Sequence, residues 1–423
     1  MKIPASHPRN HSAFRAAVLL ILVLVNVRGI ARPRTAWAQE NLAVLAAPPP
    51  EYEFGKTMTF EVSARSSGAE IIGATVFVRA PGFARTFVGE ARLAPGLEIT
   101  ATYALNLNLR PLPPFASVEY WWEVRDSAGG SLITEAQSFP YEDNRFDWRT
   151  LTSGIITVHW HKGDTAFGQA ALDVAANALT QANRDIQAPL PEQVNVYIYA
   201  DTEAARAALA PVGRIWADGY ADPPLGLAVV AVADDVGAAV NLGREIPHEL
   251  THILIYQATR DRFAQVPTWL NEGLAVMNQA EPDPGFSAAL DAARKTGTLL
   301  RLSSLCGPLP ADPAQAQLTY AESESLVRYM RDTYGATGIT ALLAAYADGL
   351  GCAAGVERAL GLSLDELERE WLAEAFHIGP INPLPGQLDP VPWAILAALV
   401  LLSPVLFFLL IRLRPSARRP ASP

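Results

Sequence analysis

The chain has 423 residues, half of them hydrophobic and 18% charged, which is more length than one ordinary domain uses and enough apolar material for two cores. Its net charge of −10 understates the acidity of the middle. All 43 acidic residues lie between Glu40 and Asp389, whereas ten of the 33 basic residues lie outside that span. Such a surface repels nucleic-acid phosphates, so no nucleic-acid partner is expected.

At the N-terminus, basic residues up to Arg15 precede the apolar run Ala16–Val25, and Ala36-Trp37-Ala38 follows as an A-x-A pattern. Residues 1–38 therefore read as a secretory signal peptide. The long gap between the apolar run and Ala38 leaves an uncleaved anchor as the alternative. From 50 to 142 the hydrophobic period is two. Met58, Phe60, Val62 and Ala64 alternate with polar neighbours, as do Val118, Tyr120, Trp122 and Val124. Short strands at this spacing predict a small all-β sandwich of immunoglobulin or fibronectin type.

The composition changes over 142–150. Strand-like runs at 155–161, 194–200 and 227–233 then mix with an Ala-rich helical stretch at 165–184, and the chain turns mostly helical up to Phe376. A mixed sheet followed by a helical half gives the expected fold class: α+β, with a catalytic domain over 148–376. The prolines of 379–392 make a stiff spacer. Residues 393–411 carry no charge and match the length of a bilayer core, and the basic tail 412–423 follows. The expectation is a C-terminal transmembrane helix in a single-pass type I membrane protein, with the catalytic domain outside the cytoplasm. Cys306 and Cys352 then share an oxidising space, where they either form a disulfide or remain two buried thiols.

The chemistry centres on His248-Glu249-Leu250-Thr251-His252, an H-E-x-x-H. On a helix the two histidines lie one turn apart on one face, and Glu249 borders them as a base for the attacking water. Pro247 is tolerated in a first turn, which puts the predicted helix start near Glu245. A catalytic zinc takes three protein ligands and keeps one position open. Glu272, within Pro267-Thr268-Trp269-Leu270-Asn271-Glu272-Gly273, stands twenty residues after His252 on a second predicted helix that could return beside the first. His159 and His161, two apart on one predicted strand face, read as packing or surface residues rather than ligands.

H-E-x-x-H followed by this N-E-G resembles the gluzincins, the thermolysin and aminopeptidase N clan. The run Trp269–Ala275 looks most like the peptidase MA-like families. The resemblance implies a zincin-like fold, with Zn2+ held by His248, His252 and Glu272, and Glu249 as general base. It implies that Asn271 supports the ligands and that Tyr320 donates to the developing oxyanion. Thr319-Tyr320-Ala321-Glu322 reads as a capping box that would place Tyr320 in a first helical turn. It also implies an edge strand before the active helix that holds the peptide substrate, for which 227–233 is the candidate. The exopeptidase signature G-x-M-E-N is missing, so an endopeptidase is favoured over an aminopeptidase. The competing reading is a catalytically inactive surface protein whose β-sandwich mediates binding or adhesion.

Overall fold

Period-two alternation builds the N-terminal half. The computed structural model describes residues 41–80, 85–210, 219–281 and 283–377. In it β1 (Leu42–Ala46), β2 (Glu51–Glu53), β3 (Thr57–Ser66) and β6 (Glu98–Asn106) form one antiparallel sheet. The second contains β4 (Ile71–Arg79), β5 (Phe87–Glu90), β7 (Ser117–Asp126), β8 (Ser131–Ile133) and β9 (Gln137–Pro140). Met58, Phe60, Val62 and Ala64 of β3 point inward against Val118, Tyr120, Trp122 and Val124 of β7. Trp121 faces outward, stacked on Phe77 at 5.3 Å.

The third sheet carries the order β10 (Arg149–Ser153), β11 (Ile156–Trp160), β12 (Val194–Tyr199), β14 (Leu227–Ala231), β13 (Gly219–Asp222). β11, β12 and β14 are parallel, and the two outer strands run antiparallel to their neighbours. Both faces of this sheet are covered, which explains its unbroken apolar runs. Val196, Ile198, Ala228 and Val230 pack on helices α1 (Thr165–Ile186) and α3 (Ala238–Thr259). Tyr197, Tyr199, Leu227 and Val229 on the other face join the sandwich core and α2 (Thr202–Leu209). Phe115 stacks on Tyr197 at 3.7 Å between ring centroids. The Tyr197 hydroxyl donates to Glu142 at 2.9 Å, and the Tyr199 hydroxyl to the fully buried Asp143 at 2.7 Å.

Helices α4 (Thr268–Met277), α5 (Pro284–Thr296), α6 (Leu302–Leu305), α7 (Pro313–Ala347), α8 (Cys352–Leu360) and α9 (Leu364–Phe376) complete the fold. A disulfide joins Cys306, just after α6, to Cys352 at the start of α8, with the Cα atoms 5.9 Å apart.

The expected architecture needs one correction. It is α+β, with a β-rich N-terminal region and a helical C-terminal half, but among the described residues no helix is long and apolar enough to cross a membrane. The longest, α7, carries Glu322, Glu324, Arg328, Arg331 and Asp332. The expected transmembrane helix and single-pass localisation thus have no support in the described structure. Residues 393–411 lie outside the described residues, as do the signal segment 1–38, the spacer 379–392 and the tail 412–423.

Where the chain enters α6, two backbone N–H groups are taken by buried carboxylates. The Leu300 N–H donates to both oxygens of Glu322, at 3.0 and 3.2 Å, and the Leu302 N–H to Glu368 at 3.1 Å. Burial pushes the Glu322 carboxyl up to about 7; the Leu300 N–H opposes that rise and Glu368 adds to it. Between its ordinary 4.5 and about 7, the folded state binds a proton that the unfolded chain has lost. The stability this group contributes is thus complete below its unfolded pKa and declines as pH rises through the folded one. Urea unfolding at pH 5 and pH 7 should show wild type losing more stability across that interval than Glu322→Gln.

Candidate metal centre

Helix α3 begins earlier than its proline suggests. It starts at Ala238, so Pro247 lies in the interior rather than the first turn. A proline there has no N–H for the carbonyl four residues back. The Ala280 N–H supplies that bond instead, donating to the Gly243 oxygen at 2.8 Å. The helix therefore continues, and His248 and His252 project from one face with ring centroids 5.0 Å apart.

Helix α4 brings the third group. Pro267 precedes its first residue, and Trp269, Leu270 and Leu274 bury in the helical core. Glu272 Oε2 lies 3.5 Å from His248 Nε2 and 3.7 Å from His252 Nε2. The three ligand atoms lie within 4.8 Å of one another, and these residues are the one such group among the described residues. His252 Nδ1 meets Asn271 Oδ1 at 3.1 Å, and Asn271 Nδ2 donates to Glu272 Oε1 at 3.0 Å. Two imidazole nitrogens and one carboxylate oxygen converging on one point, with a second nitrogen held from behind, suit Zn2+ with a position left open.

The electrostatics are those of a buried mixed-charge cluster. Burial opposes charge on His248, yet the Glu272, Glu249 and Glu245 carboxylates outweigh it and raise its pKa. On His252 burial prevails over Glu272, and the pKa falls. Glu272 is held low: burial opposes its charge, and the two imidazoles and the Asn271 amide favour it. Glu249 is buried, and desolvation pushes its carboxyl up to about 8.

Tyr320 stands across the cluster, its ring 6.1 Å from that of His248 and stacked on Phe286 at 6.2 Å. It does not open a helix. α7 starts at Pro313, capped by Asp312, and Thr319 donates back to the Gln315 carbonyl. Glu322, the other half of the expected capping box, is occupied by Leu300. Burial, then the nearby carboxylates, raise the Tyr320 pKa far above the ordinary tyrosine range.

The edge strand also differs from expectation. Leu227–Ala231 is an inner strand, paired on both sides, and among the described residues β13 is the outermost strand on that side of the sheet. At its start, a Cβ on Gly219 would lie 2.4 Å from Glu249 Oε1, so the strand passes directly over the base. His159 bonds Asn195 and stacks on Tyr197, while His161 accepts from the Ala200 N–H; both are outside the cluster. A cavity of about 670 Å3 lies under β14, between the sandwich and the C-terminal end of α3, and contains none of the triad. Gly219, Phe286 and Gln279, which meets His248 Nδ1 at 3.3 Å, were not found from the sequence. None sits in a spaced motif.

Two histidines one turn apart, a carboxylate from the next helix and a buried glutamate beside them define a gluzincin-like centre. Residues 174–376 match the sequence model of the Peptidase MA superfamily, and the chain carries a domain of that superfamily. A search of curated proteins finds no match. Among solved structures, an M1 zinc metallopeptidase from Deinococcus radiodurans is similar at 14% identity, over 79% of this chain and 94% of that one, with a TM-score of 0.34. A mutant of it bound to a Tyr-Ser-Ala substrate is also 14% identical, with the same coverage and a TM-score of 0.35. An aminopeptidase N family protein from Idiomarina loihiensis is 8% identical over 79% of this chain and 73% of that one, with a TM-score of 0.33.

The glycine of N-E-G has a packing role. A Cβ on Gly273 would lie 2.4 Å from the Ser323 carbonyl oxygen and 2.5 Å from Val327 Cγ2, both on α7. Backbone cannot yield there as a side chain can. Gly273→Ala should push α4 off α7 and cost about 1–3 kcal/mol of overpacking strain. Urea unfolding will measure it, and zinc affinity should fall in parallel because Glu272 occupies the same turn.

Proposed function

We propose that this protein is a zinc-dependent peptidase that hydrolyses peptide bonds, with His248, His252 and Glu272 holding the metal. The convergence of the three ligand atoms within 4.8 Å, beside the buried Glu249, carries the reading. Zinc in such a site lowers the pKa of its water and polarises a substrate carbonyl. The protein's own groups do the rest. Glu249, as its carboxylate, accepts the proton from the attacking water, and the buried carboxyl so formed passes it to the leaving amine. Tyr320 keeps its proton and donates a hydrogen bond to the carbonyl oxygen as negative charge develops there. Asn271 holds His252 and Glu272 in register. The start of β13 at Gly219 lies against Glu249 and forms one wall of the site.

In this reading residues 148–376 are the catalytic unit. The preceding sandwich, which the structure extends to β1 at Leu42, packs on the second face of its sheet, with Phe115 stacked on Tyr197. The missing G-x-M-E-N signature favours internal cleavage over amino-terminal trimming.

The test is peptide hydrolysis beside metal analysis on the purified protein. We expect about one zinc per chain and cleavage abolished by a chelator. Glu249→Gln should retain zinc while turnover drops by at least ~10²–10⁴, the usual worth of a general base; near-normal turnover would reject the assignment. Tyr320→Phe should keep its zinc and lose about 10²–10³ in kcat, as removal of one oxyanion donor does; unchanged kcat would remove Tyr320 from the site. Cleavage products from a mixed peptide pool decide the mode of attack, since stepwise loss of single N-terminal residues would make the enzyme an aminopeptidase.

A further inference from the structure

The four residues that follow α4 are fastened in succession to α3, over the stretch that carries its first histidine. Asn278 Nδ2 donates to Thr251 Oγ1 at 2.9 Å and lies 3.4 Å from the Pro247 carbonyl oxygen. The Ala280 N–H fills the gap that Pro247 leaves at the Gly243 carbonyl. Arg244 Nε donates to the Glu281 carbonyl at 3.2 Å. Within this strap stands Gln279, whose carboxamide Nε2 meets His248 Nδ1 at 3.3 Å. Its other end, Oε1, is buried with no hydrogen-bond partner.

These facts bear on one another. A neutral histidine that offers Nε2 to a metal carries its proton on Nδ1, and that N–H requires an acceptor. A carboxamide nitrogen cannot accept. A half-turn of the terminal amide exchanges its ends, bringing Oε1 to Nδ1–H. That rotation gives the oxygen a partner and the His248 proton its acceptor, and turns the amide N–H groups to the place the oxygen leaves. His252 already has this arrangement through Asn271 Oδ1.

We propose that Gln279 is the positioning residue for His248. Its Oε1 accepts from Nδ1–H, which sets the tautomer and ring orientation that turn Nε2 toward Glu272, and the strap Asn278–Glu281 holds it there. The inference rests on the reading of the triad as a zinc site. It adds a supporting residue that belongs to neither H-E-x-x-H nor N-E-G.

The test compares the zinc affinity of the purified protein, by competition with a chromophoric chelator, in wild type, Gln279→Met and Gln279→Glu. Methionine keeps the bulk and removes the acceptor; glutamate keeps the acceptor. Loss of an outer partner of a metal-bound histidine typically weakens binding about 10–100-fold. We expect that loss in Gln279→Met, wild-type or tighter binding in Gln279→Glu, and no change in the urea midpoint of the metal-free protein for either. Wild-type affinity in Gln279→Met would overturn the proposal, as would equal weakening in both variants, which marks a packing role. A wild type that binds no zinc would overturn the metal site and this inference together. Zinc bound without peptide cleavage would count against the peptidase reading while the affinity comparison still decides Gln279.

Discussion

One helix can offer two ligands but not three, so the candidate centre depends on how closely α4 approaches the helix that carries both histidines. Glu272 has to come within 4 Å of two imidazoles across a helix–helix contact. Side chains normally keep helix axes 8–10 Å apart. Gly273 removes one of those side chains where α4 meets the α7 backbone at Ser323. Trp269, Leu270 and Leu274 anchor the rest of α4 in the helical core. The glycine of N-E-G thus seats α4 against α7, one residue from the ligand position at Glu272, although it offers no ligand.

The same closeness stabilises α3 where it is weakest. Pro247 interrupts the hydrogen-bond ladder one residue before His248, and an interior proline normally bends or ends a helix. The chain leaving α4 supplies an N–H to Gly243 and side-chain bonds to Thr251 and His248. Ligand supply and helix repair therefore come from one contact. The other side of the site is built by the third sheet, whose edge strand passes over Glu249 at Gly219. That sheet is held in place from its far face. Tyr197 and Tyr199 pack on Phe115 and donate to Glu142 and Asp143, so the sandwich and the sheet share one continuous core.

Much of this was legible in the sequence because it is local. The period-two runs at Met58–Ala64 and Val118–Val124 name the inward residues of β3 and β7. The i, i+4 histidines and the spacing to Glu272 name the three side chains that the fold gathers. The misreadings came where a distant partner overrides a local rule. Pro247 looked like a helix start because its repair comes from Ala280. Thr319–Glu322 looked like a capping box, but Glu322 is taken by Leu300 and the helix had already begun at Pro313. The run from Leu227 looked like the edge strand, since a short antiparallel strand such as β13 has no signal of its own. The membrane span was read from the uncharged length of 393–411 and the basic tail after it, and no described helix has that character.

The sequence by itself determined the class of chemistry, because ligand types and their spacing along helices are properties of the chain read in order. It determined the apolar faces of the strands and helices for the same reason. Only the tertiary structure decided which groups stand behind the histidines, which strand passes beside Glu249, and where Tyr320 faces. Those are contacts between residues tens of positions apart, set by how helices and sheet pack, and no local period or propensity encodes them.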